Sequence, residues 1–240
     1  SIGRLGQDYR NAPPSATPCY PPIPFSLFSP MFGFQRTGDQ FWAAGDARAR
    51  GFLMGATAGR TTLTGEGLQH DDGHSHVLAS TVPSVRPYDP AFAYELAAII
   101  RDGVERMHVK GEDLVYYITL YNENYPQAPK PDGVGEGILR GIYRFAAAST
   151  LGKATNGSKP GPRIPLIGSG AILLQAIAAQ ALPPENFGVS AEVYSAPSFG
   201  LLRRAALVAS RLKRRHPRPK AEVPHVSTVP RPKGGPAGGG

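Results

Sequence analysis

The chain has 240 residues, 41% of them hydrophobic, and a formal net charge of +8. That is enough for one or two domains with a core. Cys19 is the only cysteine, which excludes an intrachain disulfide and a cysteine-based zinc cage. No apolar run reaches the about 18 residues that a membrane-spanning helix needs, and the N-terminus carries no charged-then-apolar signal segment.

Residues 1–24 hold six prolines and no apolar period, and they read as irregular. From Phe25 the text changes. In "MFGFQRTGDQFWAAGDARARGFLMG", Phe41, Ala44, Gly45 and Phe52 fall near one helical face, which predicts a helix interrupted or capped near Gly55. Arg48 spoils that stripe.

The stretch "GEGLQHDDGHSH" at 65–76 holds three of the six histidines. Three readings stay open on composition alone. A metal site would use His70, Asp71, Asp72, His74 and His76, but Gly73 breaks the run and no Asp-His follows the HxH pair,. The residues could simply satisfy the backbone of a polar loop. Or the loop could face a substrate, since histidine titrates near neutrality.

"YDPAFAYELAAIIRDGVERM" predicts a helix with Asp89 as N-cap and Pro90 in its first turn. Phe92, Leu96, Ile99, Ile100, Gly103 and Met107 share one face of it,. "LVYYITLY" at 114–121 is apolar nearly throughout and predicts a strand of a parallel sheet, buried on both faces. "NENY" follows at its carboxyl end, where open α/β sheets place ligand-contacting loops,.

A linker is read at 149–162. "RIPLIGSGAILLQAIAAQAL" then reads strand, turn, helix, and "AEVYSAPSF" at 191–199 reads as the next strand, giving a right-handed parallel crossover. The "GSG" at 168–170 is better explained as a tight turn than as a phosphate loop. From Leu201 to Lys220 there are many cations and no acid. Such a tail suits nucleic acid or an anionic membrane surface, but it lacks interleaved aromatics. The plainer reading of 201–240 is a basic, Pro/Gly-rich, disordered tail.

The long motifs decide what composition leaves open. "MFGFQRTGDQFWAAGDARARGFLMGATAGRTTLTGEGLQHDDGHSH", "YDPAFAYELAAIIRDGVERM", "VYYITLYNENY", "EGILRGIYRF", "LIGSGAILLQAI" and "VYSAPSF" resemble the homodimeric bacterial pyruvate dehydrogenase (acetyl-transferring), the first component of the pyruvate dehydrogenase complex. The resemblance runs from about Phe25 to Phe199. It implies an α/β fold: a partial transketolase-like pyrimidine-binding domain at 25–148, its parallel sheet flanked by helices, and a partial α/β C-terminal domain at 163–200. It implies thiamine-diphosphate-dependent oxidative decarboxylation of pyruvate with acetyl transfer to lipoamide, a step that follows glycolysis in the cytoplasm. Thiamine diphosphate with magnesium is the implied cofactor. The implied partners are a second subunit and the dihydrolipoyl acetyltransferase, with no nucleic acid and no membrane.

By the same resemblance, Phe32 matches the aromatic residue that packs on the aminopyrimidine ring. His70 matches an active-site histidine beside substrate. His76 matches, more loosely, a histidine of the related transketolase loop, and Glu66 supports that loop. No metal ligand is assigned. Three departures are visible. Ser1 stands where the family's catalytic glutamate would fall, Ser29 and Pro30 replace a Tyr-Ser pair, and the "GDG" segment that binds magnesium diphosphate is not in the sequence. The chain is therefore expected to be a truncated or frame-damaged copy. A catalytically inactive domain that associates with full-length subunits is the alternative.

Overall fold

A computed structural model describes residues 23–56, 58, 67, 70–148, 163–182, 189–216 and 223–229. The chain folds as two compact units, Ser1–Gln127 and Ala128–Gly240.

The first unit is built on a four-stranded parallel sheet in the order β1-β2-β4-β3. Its strands are β1 (Phe25–Phe28), β2 (Gly51–Ala56), β3 (Val85–Tyr88) and β4 (Val115–Leu120). Between them lie α1 (Pro30–Arg36), α2 (Gly38–Asp46), α3 (Ser75–Thr81) and α4 (Ala93–Val104), the last extended by a π-turn at Glu105–Val109. β2 and β4 are buried through their first five residues. That is the physical meaning of their apolar text: central parallel strands are covered on both faces.

Side chains alternate across the sheet, so neighbouring residues of β4 serve opposite layers. Tyr117 packs with Phe34, Phe41, Leu53, Ala79 and Val85. Phe34 and Phe41 stack with centroids 3.9 Å apart. Tyr116 faces the other way, 5.6 Å from Phe52 and 5.9 Å from Tyr88. On that face α4 comes close because Gly103 has no side chain: a Cβ there would lie 2.6 Å from Phe52 Cε1.

Both central phenols are paired. Tyr117 Oη donates to Ser75 Oγ at 2.7 Å, and Tyr116 Oη donates to Asp102. Burial pushes both phenol pKa values up, and for Tyr116 the acceptor Asp102 adds to the rise.

The second unit holds α5 (Gly135–Arg140), β5 (Tyr143–Ala146), β6 (Arg163–Gly168), α6 (Ile172–Gln180), β7 (Ser190–Ser195) and α7 (Phe199–Arg215). Its sheet has the order β5-β7-β6, with β6 parallel and β5 antiparallel to β7. The predicted strand–helix–strand crossover is there. A Cβ on Gly168 would meet the Leu173 backbone at 2.5 Å, and Gly170 has φ +52°, so the "GSG" glycines are needed by the turn itself.

Several expectations are corrected. Residues 51–56 are a strand, not part of a helix: α2 ends at Asp46, and Arg48 turns the chain with φ +51°. Asp89 does not cap α4. Phe92 is the N-cap, and the buried Glu95 carboxylate accepts from the backbone N–H groups of Ala91 (2.5 Å) and Phe92 (3.2 Å). Residues 128–148 belong with the second unit, since β5 pairs with β7. Residues 201–215, read as disordered tail, form most of α7, anchored by the buried Leu201 and Leu202 and by Ser198 Oγ, which accepts from Leu201 N at 3.2 Å. The linker at 149–162 and nearly all of 1–24 lie outside the described residues.

Candidate functional site at the carboxyl edge of the first sheet

Because all four strands run parallel, their carboxyl ends share one edge, where ligand-contacting groups collect in such sheets. Phe32 follows β1, the histidine segment follows β2, Asp89 follows β3, and Thr119 and Tyr121 lie at and just beyond the end of β4. Four separate stretches of sequence thus contribute to one edge.

Two clusters stand there. In the first, the rings of Phe32 and His70 meet edge to face, 5.0 Å between centroids and 89° between planes. The Arg36 guanidinium lies 4.7 Å over the Phe32 ring, one turn along α1. His70 N–H donates to Gly67 O at 2.9 Å, and both rings are half-buried.

The second cluster is a hydrogen-bonded chain. His76, in the first turn of α3, has Nε2 2.9 Å from Thr119 Oγ1. Thr119 Oγ1 is 2.6 Å from Asp89 Oδ1, which also accepts from Tyr121 Oη. His76 lies 5.2 Å from the Tyr117 ring. Beside these groups opens a cleft of about 190 Å³ lined by Pro90, Phe92, Thr119, Tyr121, Glu123 and Tyr125 among others. Burial, with the carboxylates of Glu95, Asp89 and Glu123 nearby, raises the Tyr125 phenol pKa, and the phenol donates its proton to Ala91 O.

The crowded sequence at 65–76 therefore splits into different jobs. Asp72 is 2% exposed and structural. Its Oδ1 accepts from Ser75 N at 3.0 Å and His74 N at 3.3 Å, and its Oδ2 accepts from Ser75 Oγ at 2.5 Å. Those bonds satisfy donors that the start of α3 would leave orphaned. They link, through Ser75, to the Tyr117 phenol in the core. His74 is exposed. Among the described residues no group of three or more His, Cys, Asp and Glu is placed to hold a metal. Glu66 lies outside the described residues.

The sequence does not mark Asp89, Thr119 and Tyr121 as members of the site. One signal was available: a threonine near the carboxyl end of an otherwise apolar strand has to find a polar partner once buried, and Thr119 is 1% exposed.

Comparison with known proteins sharpens the picture. Residues 16–128 match the pyruvate dehydrogenase E1 component middle domain. The pyruvate dehydrogenase E1 component of Pseudomonas aeruginosa is 50% identical over 206 residues, 86% of this chain. The chain is homologous to a segment of the pyruvate dehydrogenase E1 component. The E1 components of Escherichia coli strain K12 and Mycobacterium tuberculosis are 47% and 49% identical over 87% and 88% of the chain. The chain spans about a fifth of the length of these relatives, 22% to 23%.

Solved structures support the fold alone. The transketolase from Leishmania mexicana has a TM-score of 0.58 at 16% identity, covering 76% of this chain and 24% of that one. A split-gene transketolase, described as an inactive beta4 tetramer, has a TM-score of 0.51 at 18% identity, covering 78% of this chain and 54% of that one. The E1 segment thus has a transketolase-like fold, and no described helix is long and apolar enough to cross a membrane.

Proposed function

We propose that this chain supplies the pyrimidine-side wall of a thiamine-diphosphate site for the oxidative decarboxylation of pyruvate, with acetyl transfer to lipoamide on a dihydrolipoyl acetyltransferase. The observation that carries this reading is the Phe32–His70 contact at the carboxyl edge of a parallel sheet. The residues present suit the pyrimidine end of the cofactor: a half-buried phenyl ring offers an apolar surface beside a polar imidazole,. They do not suit the magnesium diphosphate end, because the described residues contain no ligand cluster. That end is assigned to another domain, in the same longer chain or in a second subunit.

When bound, thiamine diphosphate supplies the electron sink of the reaction, and the protein supplies orientation and polar contacts. Phe32 would offer the pyrimidine an apolar ring to pack on. Arg36, over the Phe32 ring, is exposed and would shift aside for the heterocycle to pack on that face. His70 and His76 present imidazole nitrogens that can hold or move a proton. Glu66 is proposed to support the loop that carries them. The wall has no complete cofactor site until a diphosphate-binding domain covers it, which makes a homodimer in the cytoplasm the natural working form.

The test is a carbon dioxide release assay with pyruvate, thiamine diphosphate and magnesium. The isolated chain should show no release above background. A chimera in which residues 25–127 replace the matching segment of the Escherichia coli relative should release carbon dioxide in a pyruvate-dependent way. Folded but inactive chimera would favour the second reading, an associating domain without catalytic competence; the Ser29–Pro30 replacement at the site edge is what favours it.

A further inference from the structure

We propose that Thr119 and Asp89 are positioning residues that hold His76 as its Nε2–H tautomer, leaving Nδ1 as the ring nitrogen that gains and loses the proton. The inference rests on the reading of His76 as a site histidine and adds the atom at which it works. Its warrant is a proton count at one hydroxyl.

Thr119 Oγ1 has three polar neighbours: His76 Nε2 at 2.9 Å, Asp89 Oδ1 at 2.6 Å and Tyr88 O at 3.3 Å. A threonine hydroxyl has one proton to donate and lone pairs to accept with. A carboxylate oxygen and a backbone carbonyl can only accept. Whichever of these two takes the hydroxyl proton, Oγ1 meets His76 with a lone pair. Nε2 must then carry the hydrogen. The carboxylate is the nearer of the two acceptors and binds the more strongly, as a charge-assisted partner.

Thr119 is 1% exposed, so its hydroxyl is largely shielded from solvent. Asp89 lies one residue past the Tyr88–Ile118 pair of adjacent strands, which brings its carboxyl level with Thr119. Tyr121 Oη donates to the same Oδ1, so two hydroxyls from the β4 end fix that oxygen. His76 itself is held from behind by α3, whose start is tied to Asp72.

The arrangement also survives protonation. Imidazolium donates from both nitrogens, so Nε2–H still points at Thr119. Uptake or release of a proton at Nδ1 needs no rearrangement of Thr119 or Asp89. A buried, prearranged acceptor of this kind needs little reorganisation when charge appears on the ring.

The experiment reads imidazole nitrogens of the full chain, labelled with 15N at histidine, by long-range 15N–1H correlation. His76→Gln assigns the signal among the six histidines. The wild-type ring should show a protonated-type Nε2 and an unprotonated-type Nδ1. Thr119→Val leaves Nε2–H facing a methyl group, and the tautomer ratio should move about tenfold toward Nδ1–H. Thr119→Ser should restore it. Thr119→Ala serves as a second deletion of the hydroxyl if the valine variant does not fold. A wild-type Nδ1–H tautomer, or a ratio untouched by removal of the hydroxyl, overturns the proposal. The spectrum needs no cofactor, so its outcome is separate from the decarboxylation assay: an inactive chimera with the Nε2–H signature would sink the functional reading and leave this one standing.

Discussion

The ring of His70 stands edge to face with that of Phe32, 5.0 Å between centroids, although 38 positions of sequence separate them, counted from their numbers. The parallel sheet creates this contact: β1 and β2 are neighbours running the same way, so the segments that leave their carboxyl ends emerge side by side. The energetics of that sheet, and of the residues that hold the histidine segment on it, yield testable outcomes.

Gly103→Ala should destabilise the first unit by about 1–3 kcal/mol, the usual cost of overpacking. The new methyl would meet Phe52 Cε1 and Cζ at 2.6 Å. That ring is stacked on Phe25 at 4.6 Å and packed on Tyr116 at 5.6 Å, so it yields only at the expense of those contacts. Urea denaturation measures it, and an unchanged midpoint would show that α4 moves freely.

Glu95→Ala should cost about 1–3 kcal/mol, because it strips a buried acceptor from two backbone N–H groups. Ala91 N and Phe92 N both point at its carboxylate, and all three residues are buried. Glu95→Gln, which keeps an acceptor oxygen, should recover a good part of that loss. Equal losses for the two variants would argue against the capping role.

Alkaline pH should unfold the protein in part through Tyr117. Its pKa is raised above the ordinary 10.0 chiefly by burial. The native state therefore keeps the phenol proton after the unfolded chain has lost it. The stabilising contribution is complete below about pH 10 and is lost as pH rises toward the folded pKa. Tyr117→Phe removes this titration, so its stability should fall less steeply above that pH, at the expense of the Ser75 hydrogen bond at lower pH. Parallel stability–pH curves for wild type and variant would contradict the account.

Much of the fold is legible in the sequence, and the reasons differ by element. β4 is readable because a central parallel strand must be apolar on both faces, and 114–121 is. The buried face of α4 is readable because Phe92, Ile99, Gly103 and Met107 recur at helical spacing and are all buried. β1 and β3 are not readable. Each is four residues long and lies at a sheet edge, too short for a period, and β3 tolerates Pro87 there because an edge strand has backbone donors to spare.

The same limit applies to the site. Phe32 and His70 could be named from family resemblance, and their contact follows from strand order. The Thr119–Asp89 link could not, because it depends on the register between β3 and β4. Asp89 has the sequence context of a helix cap, and only the position of Glu95 shows that the cap is supplied from within the helix.

The central claim, that the histidine segment forms a wall of a decarboxylation site, is tested most directly by His70→Ala in the chimera with the Escherichia coli relative. Loss of a positioned acid–base group costs about a hundredfold or more in rate. The account predicts a fall in kcat of about that size, with the thermal midpoint unchanged because His70 is only half-buried. An active chimera whose rate is untouched by His70→Ala would contradict it and leave the segment a structural loop.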